Sequence, residues 1–144
     1  MEMSKIVAVI GQMNVDLIYK DINRFPNEGE EVFATDFKIE LGGGPMVIPI
    51  MLSRLGIPVK LGTYFGDDFQ SRIASDLLND IRFHYVETLK TRKKHPVVVT
   101  CVITTEAERS FVCYNEGADE LDCGPESIYE FYKSSSICFC QQDL

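Results

Sequence analysis

The apolar pattern begins at Ile6-Val7-Ala8-Val9-Ile10, where a nearly continuous β-branched run over residues 5–11 predicts a strand covered on both faces. Leu17-Ile18-Tyr19 continues as extended chain, and Phe25-Pro26-Asn27-Glu28-Gly29 supplies turn chemistry. Residues 31–41 alternate loosely between apolar and polar, which predicts one or two half-exposed strands outside the central sheet. Met46 to Leu55 is almost wholly apolar and predicts a helix, with Gly56 just past its end and Pro58 as a stop. Val59 to Tyr64 reads as the next strand. Asp67 or Asp68 then caps a helix whose apolar positions Phe69, Ile73, Leu77 and Ile81 recur at a spacing of four. Phe83 to Leu89 predicts a short strand, and Val97–Thr104 with Ser110–Tyr114 a hairpin. Pro125–Tyr132 predicts a helix and Ser136–Cys140 a last strand.

Alternation of β and α patterns argues for a doubly wound parallel core. The half-exposed strands come from two distant stretches and predict a small extra sheet lying to one side. A length of 144 residues fits one domain, and no repeat or linker divides it. The net charge of −8 argues against a nucleic-acid partner, and the one basic cluster, Lys90 to Lys94, reads as a solvated turn. No apolar run approaches the roughly 20 residues of a membrane helix, and Met1 to Lys5 lacks the marks of a signal peptide. Five cysteines without regular spacing suit reduced thiols and a cytoplasmic protein. Cys138 and Cys140 share one strand face and read as small buried hydrophobes. With only His84 and His95, spacing assembles no metal cluster.

Ligands of open α/β sheets bind at the carboxyl ends of strands. Asn14 and Asp16 follow such an end directly. A carboxylate accepts from two hydroxyls while an amide both donates and accepts, so the pair can read vicinal diols; an Asx turn is the plainer alternative. Gly42-Gly43-Gly44 at a helix start lets backbone approach a ligand and lends N–H groups, or is simply a tight turn. It is neither a dinucleotide fingerprint nor a Walker loop, because the required glycine and Lys-Ser/Thr offsets are missing. Gly66-Asp67-Asp68 reads as a helix cap, with ordering of the site as the alternative, and Glu108-Arg109 as a solvated pair at a hairpin tip. Asp143 lies just past the last strand, at a carboxyl edge or in a frayed terminus.

Taken in order, several motifs resemble the N-terminal half of the ribokinase-like (phosphofructokinase-B type) carbohydrate kinases. They are Val9-Ile10-Gly11-Gln12-Met13-Asn14-Val15-Asp16, Phe25-Pro26-Asn27-Glu28-Gly29-Glu30, Gly42-Gly43-Gly44-Pro45 with Leu52-Ser53-Arg54-Leu55-Gly56, and Gly62 to Asp68. Ala107-Glu108-Arg109 to Gly117-Ala118-Asp119 and Cys140-Gln141-Gln142-Asp143 extend the match over essentially the whole chain. The resemblance implies an α/β fold, a ribokinase-like αβα core with a small side β-sheet lid drawn from about residues 17–41 and 97–114. It implies ATP-dependent phosphoryl transfer to a sugar or nucleoside-like hydroxyl, aided by Mg²⁺. Asn14 and Asp16 match substrate-binding positions, Gly42 and Gly43 the substrate loop, and Val99 and Cys101 lid strands over the sugar; Asp143 falls where the family has a substrate-contacting Glu.

Three departures qualify that match. Val47 stands where the family has a substrate-binding Asn, which removes a hydrogen bond and points away from ribose itself. Pro49 occupies an ordinary helix position and predicts a shifted or irregular helix start. The family's catalytic base and most of its nucleotide site belong to a C-terminal half with no counterpart in residues 1–144. The expectation is therefore a substrate-and-lid half of a sugar kinase, inactive alone. The alternative is a non-catalytic sugar-binding or dimerising module, self-associating through lid strands or an exposed core edge. A nucleotide-binding α/β domain of another kind is disfavoured by the missing fingerprint.

Overall fold

The computed structural model describes residues 6–116 and 123–140, with the side chain of Cys140 left out. Among them the order is β1 (Val7–Ile10), β2 (Asn14–Lys20), β3 (Asp36–Gly42), α1 (Gly44–Arg54), β4 (Val59–Thr63) and α2 (Phe69–Asn79). Then follow β5 (Tyr85–Thr88), β6 (Val98–Thr104), β7 (Arg109–Tyr114), α3 (Pro125–Tyr132) and β8 (Ile137–Cys140).

The strands form two four-stranded sheets. The first runs β5-β4-β1-β8, and each of its neighbouring pairs is parallel. β1 is buried at all four positions, as its unbroken apolar run requires. Val7 and Val9 join Val59 and Leu61 of β4, Met46 of α1 and Ala74 and Leu78 of α2 in one cluster. Ala8 and Ile10 pack on the other face with Phe131, flanked by Ile128 and Tyr132 of α3. Helices therefore cover both faces, and the core is the expected αβα sandwich. Lys60 of β4 lies on the α3 side: its Nζ donates to the Phe131 carbonyl at 2.8 Å and sits 4.2 Å from the centre of that ring.

The second sheet runs β3-β2-β6-β7 and is the lid anticipated from the half-exposed strands. β2 pairs antiparallel with β3 and parallel with β6, and β6 pairs antiparallel with β7. One expectation changes here. Asn14 and Asp16 are not a turn following the first strand; they begin β2, so the lid itself carries them. The lid's root is anchored to the body because Met13 and Val15 belong to the same buried cluster as α1, α2, β1 and β4.

α1 starts at Gly44 and runs unbroken through Pro49, so the shifted helix start does not occur. Pro49 lies in the middle of the helix, where it removes the hydrogen bond to the Pro45 carbonyl, and its ring is buried. The helix closes as predicted: Gly56 N–H donates to Ser53 O at 3.0 Å and Ile57 N–H to Leu52 O at 3.0 Å, the two bonds of a Schellman ending. α2 is capped by Asp68, which accepts from Ser71 N–H at 2.8 Å. Its buried face, however, is Ser71, Ala74 and Leu78, while Phe69 is 73% exposed. Positions four apart drift by about 40° per step on a helix, so Phe69 and Ile81 cannot both face the core. Cys138 is also exposed rather than buried, because β8 is the outer strand of the sheet and nothing among the described residues covers that position.

Candidate functional site

The lid register decides which side chains meet. Partners directly opposite in a sheet project from the same face, so Asp16 shares a face with Glu40 of β3 and Thr100 of β6, and Thr100 with Cys113 of β7. Asn14 lies on this face too, two residues before Asp16 and opposite Gly42. The other face carries Val15, Leu17 and Leu41, which pack on the body. Val99 and Cys101 pair with Val15 and Leu17, which places them on that second face, away from Asp16. The lid residue that does sit beside Asp16 is Thr100.

Gly42 and Gly43 shape the floor. A Cβ on Gly42 would lie 2.6 Å from Asp16 Cγ and 2.8 Å from its Oδ1, and closer still to Oδ2. The bare backbone at this position is what leaves the carboxylate its place. Gly43, the N-terminal cap of α1, has φ +89°, a conformation that L side chains rarely adopt, and a Cβ there would press on Asn14 Cβ at 3.2 Å. Both predicted glycines therefore touch the two predicted polar residues.

The polar groups on this face are unequally satisfied. Asn14 Nδ2 donates to Thr100 Oγ1 at 2.8 Å, and that hydroxyl lies 3.3 Å from Cys113 Sγ. Asp16 Oδ1 is buried and has no hydrogen-bond partner. Burial, and secondly the like charge of Glu40, push the Asp16 carboxyl above the ordinary aspartate value. A desolvated carboxylate oxygen without a donor is costly in isolation, and it is the kind of acceptor that a ligand hydroxyl relieves. Beneath it, Gln12 Nε2 donates to Pro96 O at 2.8 Å and to Asn115 Oδ1 at 3.2 Å, tying the β1–β2 turn to the segments entering β6 and leaving β7.

The remaining sequence candidates separate. Val47 is 59% exposed on α1 and offers no hydrogen bond. Gly66-Asp67-Asp68 is a helix cap, with Ser71 Oγ donating to Asp68 and accepting from Gly66 N–H, both at 2.8 Å. Glu108 and Arg109 are exposed at the β6–β7 tip, where Arg109 stacks 5.5 Å from the Phe111 ring centre. Asp143, like Gly117-Ala118-Asp119, lies outside the described residues. A separate open cleft of about 800 Å³ lies between α2 and β5, lined among others by Phe65, Arg72, Asp76, Phe83 and Thr88, and includes none of the predicted binding residues. Among the described residues no group of three or more His, Cys, Asp or Glu is placed to hold a metal ion, and no helix is long and apolar enough to cross a membrane.

Comparison with protein families gives a match to the pfkB family carbohydrate kinases over residues 4–133, most of the sequence. The chain belongs to the pfkB family of carbohydrate kinases. Its fold is that of solved family structures. One is the Arabidopsis thaliana ribokinase complexed with ribose and ATP, at a TM-score of 0.72 and 21% identity, covering 96% of this chain and 46% of that one. Another is a putative ribokinase from Agrobacterium tumefaciens, at 0.63 and 20%, covering 90% and 43%. A microbiome-derived acarbose kinase aligns at 0.68 and 15%, covering 96% and 46%. This pfkB chain thus spans a little under half the length of the structures it resembles. No match was found among curated proteins.

The sequence pattern does not point to Thr100 and Glu40 as neighbours of Asp16, nor to Cys113 as the partner of Thr100. The signal existed in the alternation of β6, but choosing between its two faces needs the β2–β6 register, which no local pattern supplies.

Proposed function

We propose that this chain is the hydroxyl-binding and lid portion of a sugar kinase, holding a sugar or nucleoside-like substrate for phosphoryl transfer from ATP. The observation that carries this reading is the buried, donorless Oδ1 of Asp16, held against Gly42 and beside Asn14 on a lid of pfkB type. Asp16 would accept hydrogen bonds from substrate hydroxyls, Asn14 would bind a neighbouring one, and Gly42 and Gly43 would let the sugar lie against backbone. The lid would limit the access of water to the bound hydroxyls. Asp143 is kept as a further substrate contact by resemblance.

ATP and Mg²⁺ belong to this reading as the phosphoryl donor and its counter-ion. The described residues do not assemble a donor set that fits the metal, so no step through it is assigned to this chain. On this reading the described residues bind substrate rather than transfer the phosphoryl group, and the chain alone is expected to be silent in an ATPase assay. A cytoplasmic location fits the unpaired thiols.

Isothermal calorimetry of the chain against pentoses, hexoses and nucleosides tests the proposal. Saturable heat that Asp16→Ala abolishes supports it, and heat unaffected by that change refutes the assigned site. The second reading, a sugar-binding or self-associating module without catalysis, is favoured by one feature. The face away from Asp16 exposes Tyr19, Phe37, Ile39, Val112 and Tyr114 on the lid strands. Sedimentation equilibrium separates the two, since a monomer at high concentration excludes the associating module.

A further inference from the structure

Thr100 is a lid residue whose hydroxyl is shared between side chains of two neighbouring strands. It is only 3% exposed, and its Oγ1 has three polar neighbours: Asn14 Nδ2 at 2.8 Å, Asn14 Oδ1 at 3.1 Å and Cys113 Sγ at 3.3 Å. A hydroxyl has one hydrogen and two lone pairs, and an amide nitrogen can only donate. The shortest contact therefore makes Thr100 an acceptor from Asn14. Its single hydrogen must then go either back to the same amide or forward to Cys113. Both acceptors are within hydrogen-bond distance, Asn14 Oδ1 at 3.1 Å and Cys113 Sγ at 3.3 Å. Cys113 is directly opposite Thr100 in the β6–β7 register and Asn14 lies on β2, so the hydroxyl joins the two strands that flank β6.

We propose that Thr100 is a positioning residue that holds the Asn14 side chain against β6, with Cys113 as the second partner of its hydroxyl. Resting on the sugar-binding reading above, this adds the residue that fixes where Asn14 meets the ligand. Both polar atoms of the Asn14 amide lie within hydrogen-bond distance of Thr100 Oγ1, so the side chain is tethered to β6. Beside it, Asp16 Oδ1 is an acceptor lacking a donor.

The test uses the whole chain and two readouts. The first is the ¹⁵N relaxation of the Asn14 side-chain amide in the free protein. Wild type and Thr100→Ser are expected to give a rigid, shifted amide signal, and Thr100→Val a signal with the mobility of an exposed asparagine. Cys113→Ala, at an exposed position, should move the same resonance without loss of fold, and Cys113→Ser should restore it. The second readout is sugar affinity by calorimetry with D-fructose and D-xylose: Thr100→Val should lose about tenfold, the effect of one net hydrogen bond, and Thr100→Ser should recover it. An Asn14 amide as rigid in Thr100→Val as in wild type overturns the proposal, as does an unmoved resonance in Cys113→Ala. If the relaxation pattern holds while pentoses, hexoses and nucleosides all give no heat, the positioning role stands and the sugar-binding reading falls. If sugar binds equally well to wild type and Thr100→Val, the sugar site stands and this proposal falls.

Discussion

Replacing Gly42 with alanine tests whether the Asp16 carboxylate is held where the structure has it. The added Cβ would lie 2.6 Å from Asp16 Cγ and 2.8 Å from Oδ1, both inside the 3.0 Å that real Cβ atoms essentially never cross. The strand pairing of Asn14 with Gly42 restrains the backbone, so the side chain must give way. Swinging Asp16 off its rotamer costs about 0.5–1.5 kcal/mol, and residual overpacking brings the total to roughly 1–3 kcal/mol. In an Asp16→Ala background the obstacle is gone. There the same Gly42→Ala change should be neutral or stabilising by up to about 0.5–1 kcal/mol, since glycine loses more backbone freedom on folding than alanine. The sign of the effect thus reverses with the partner. Urea denaturation of the four proteins in the cycle measures this, with equal slopes required before the free energies are compared. A Gly42→Ala cost of the same size in both backgrounds would refute the reasoning, because the collision would then lie elsewhere than on Asp16.

Three further outcomes follow from named contacts. Ionised Asp16 is disfavoured in the folded chain by burial and by Glu40, so its folded pKa lies above the unfolded one and its charge costs stability above that pKa, a cost that fades as pH falls toward the unfolded value. Asp16→Asn should therefore raise Tm at pH 7 while abolishing sugar heat, and sugar affinity of the wild type should fall with acid through the raised pKa; a lowered Tm at pH 7 would contradict this. Asp68→Ala removes the acceptor of Ser71 N–H and Oγ–H and should cost about 1 kcal/mol in urea titration, with Asp67→Ala as the silent control. Phe131, 1% exposed between Ile10, Gly62 and Lys60, should cost about 3–5 kcal/mol as alanine, seen as a large drop in the denaturation midpoint.

What the sequence made legible and what it left dark divide along a physical line. β1, β4, α1, the Gly56 ending and the β6–β7 hairpin were readable because each is specified by residues close together in the chain. Asn14, Asp16, Gly42 and Gly43 were readable as candidates because their chemistry is unusual at a strand end and a helix start. Several of the differences concern which way a side chain faces. The spacing that turns Phe69 inward drifts around a helix, and the family resemblance puts Val99 and Cys101 over the sugar, whereas the register turns them to the face away from Asp16. Both faces of β6 carry apolar residues, so alternation alone offers no choice between them. Only pairing with β2, some 84 residues upstream in the register of Asn14 with Val98, decides that Thr100 turns toward Asp16.

That same pairing sets the order in which the molecule can come together. β2 and β6 are parallel neighbours, yet α1, β4, α2 and β5 all intervene between them in the chain. The Asn14–Thr100 bond closes a loop of 86 residues, and a contact so distant gains nothing until the intervening segments have been ordered. The polar face of the lid is thus a late product of folding, assembled on a body that must already exist. An early collapsed species would display the apolar strands of the lid without the acceptors that give them a purpose. Refolding followed by the Asn14 amide signal should accordingly lag behind refolding followed by protection of the β1–β4 amides.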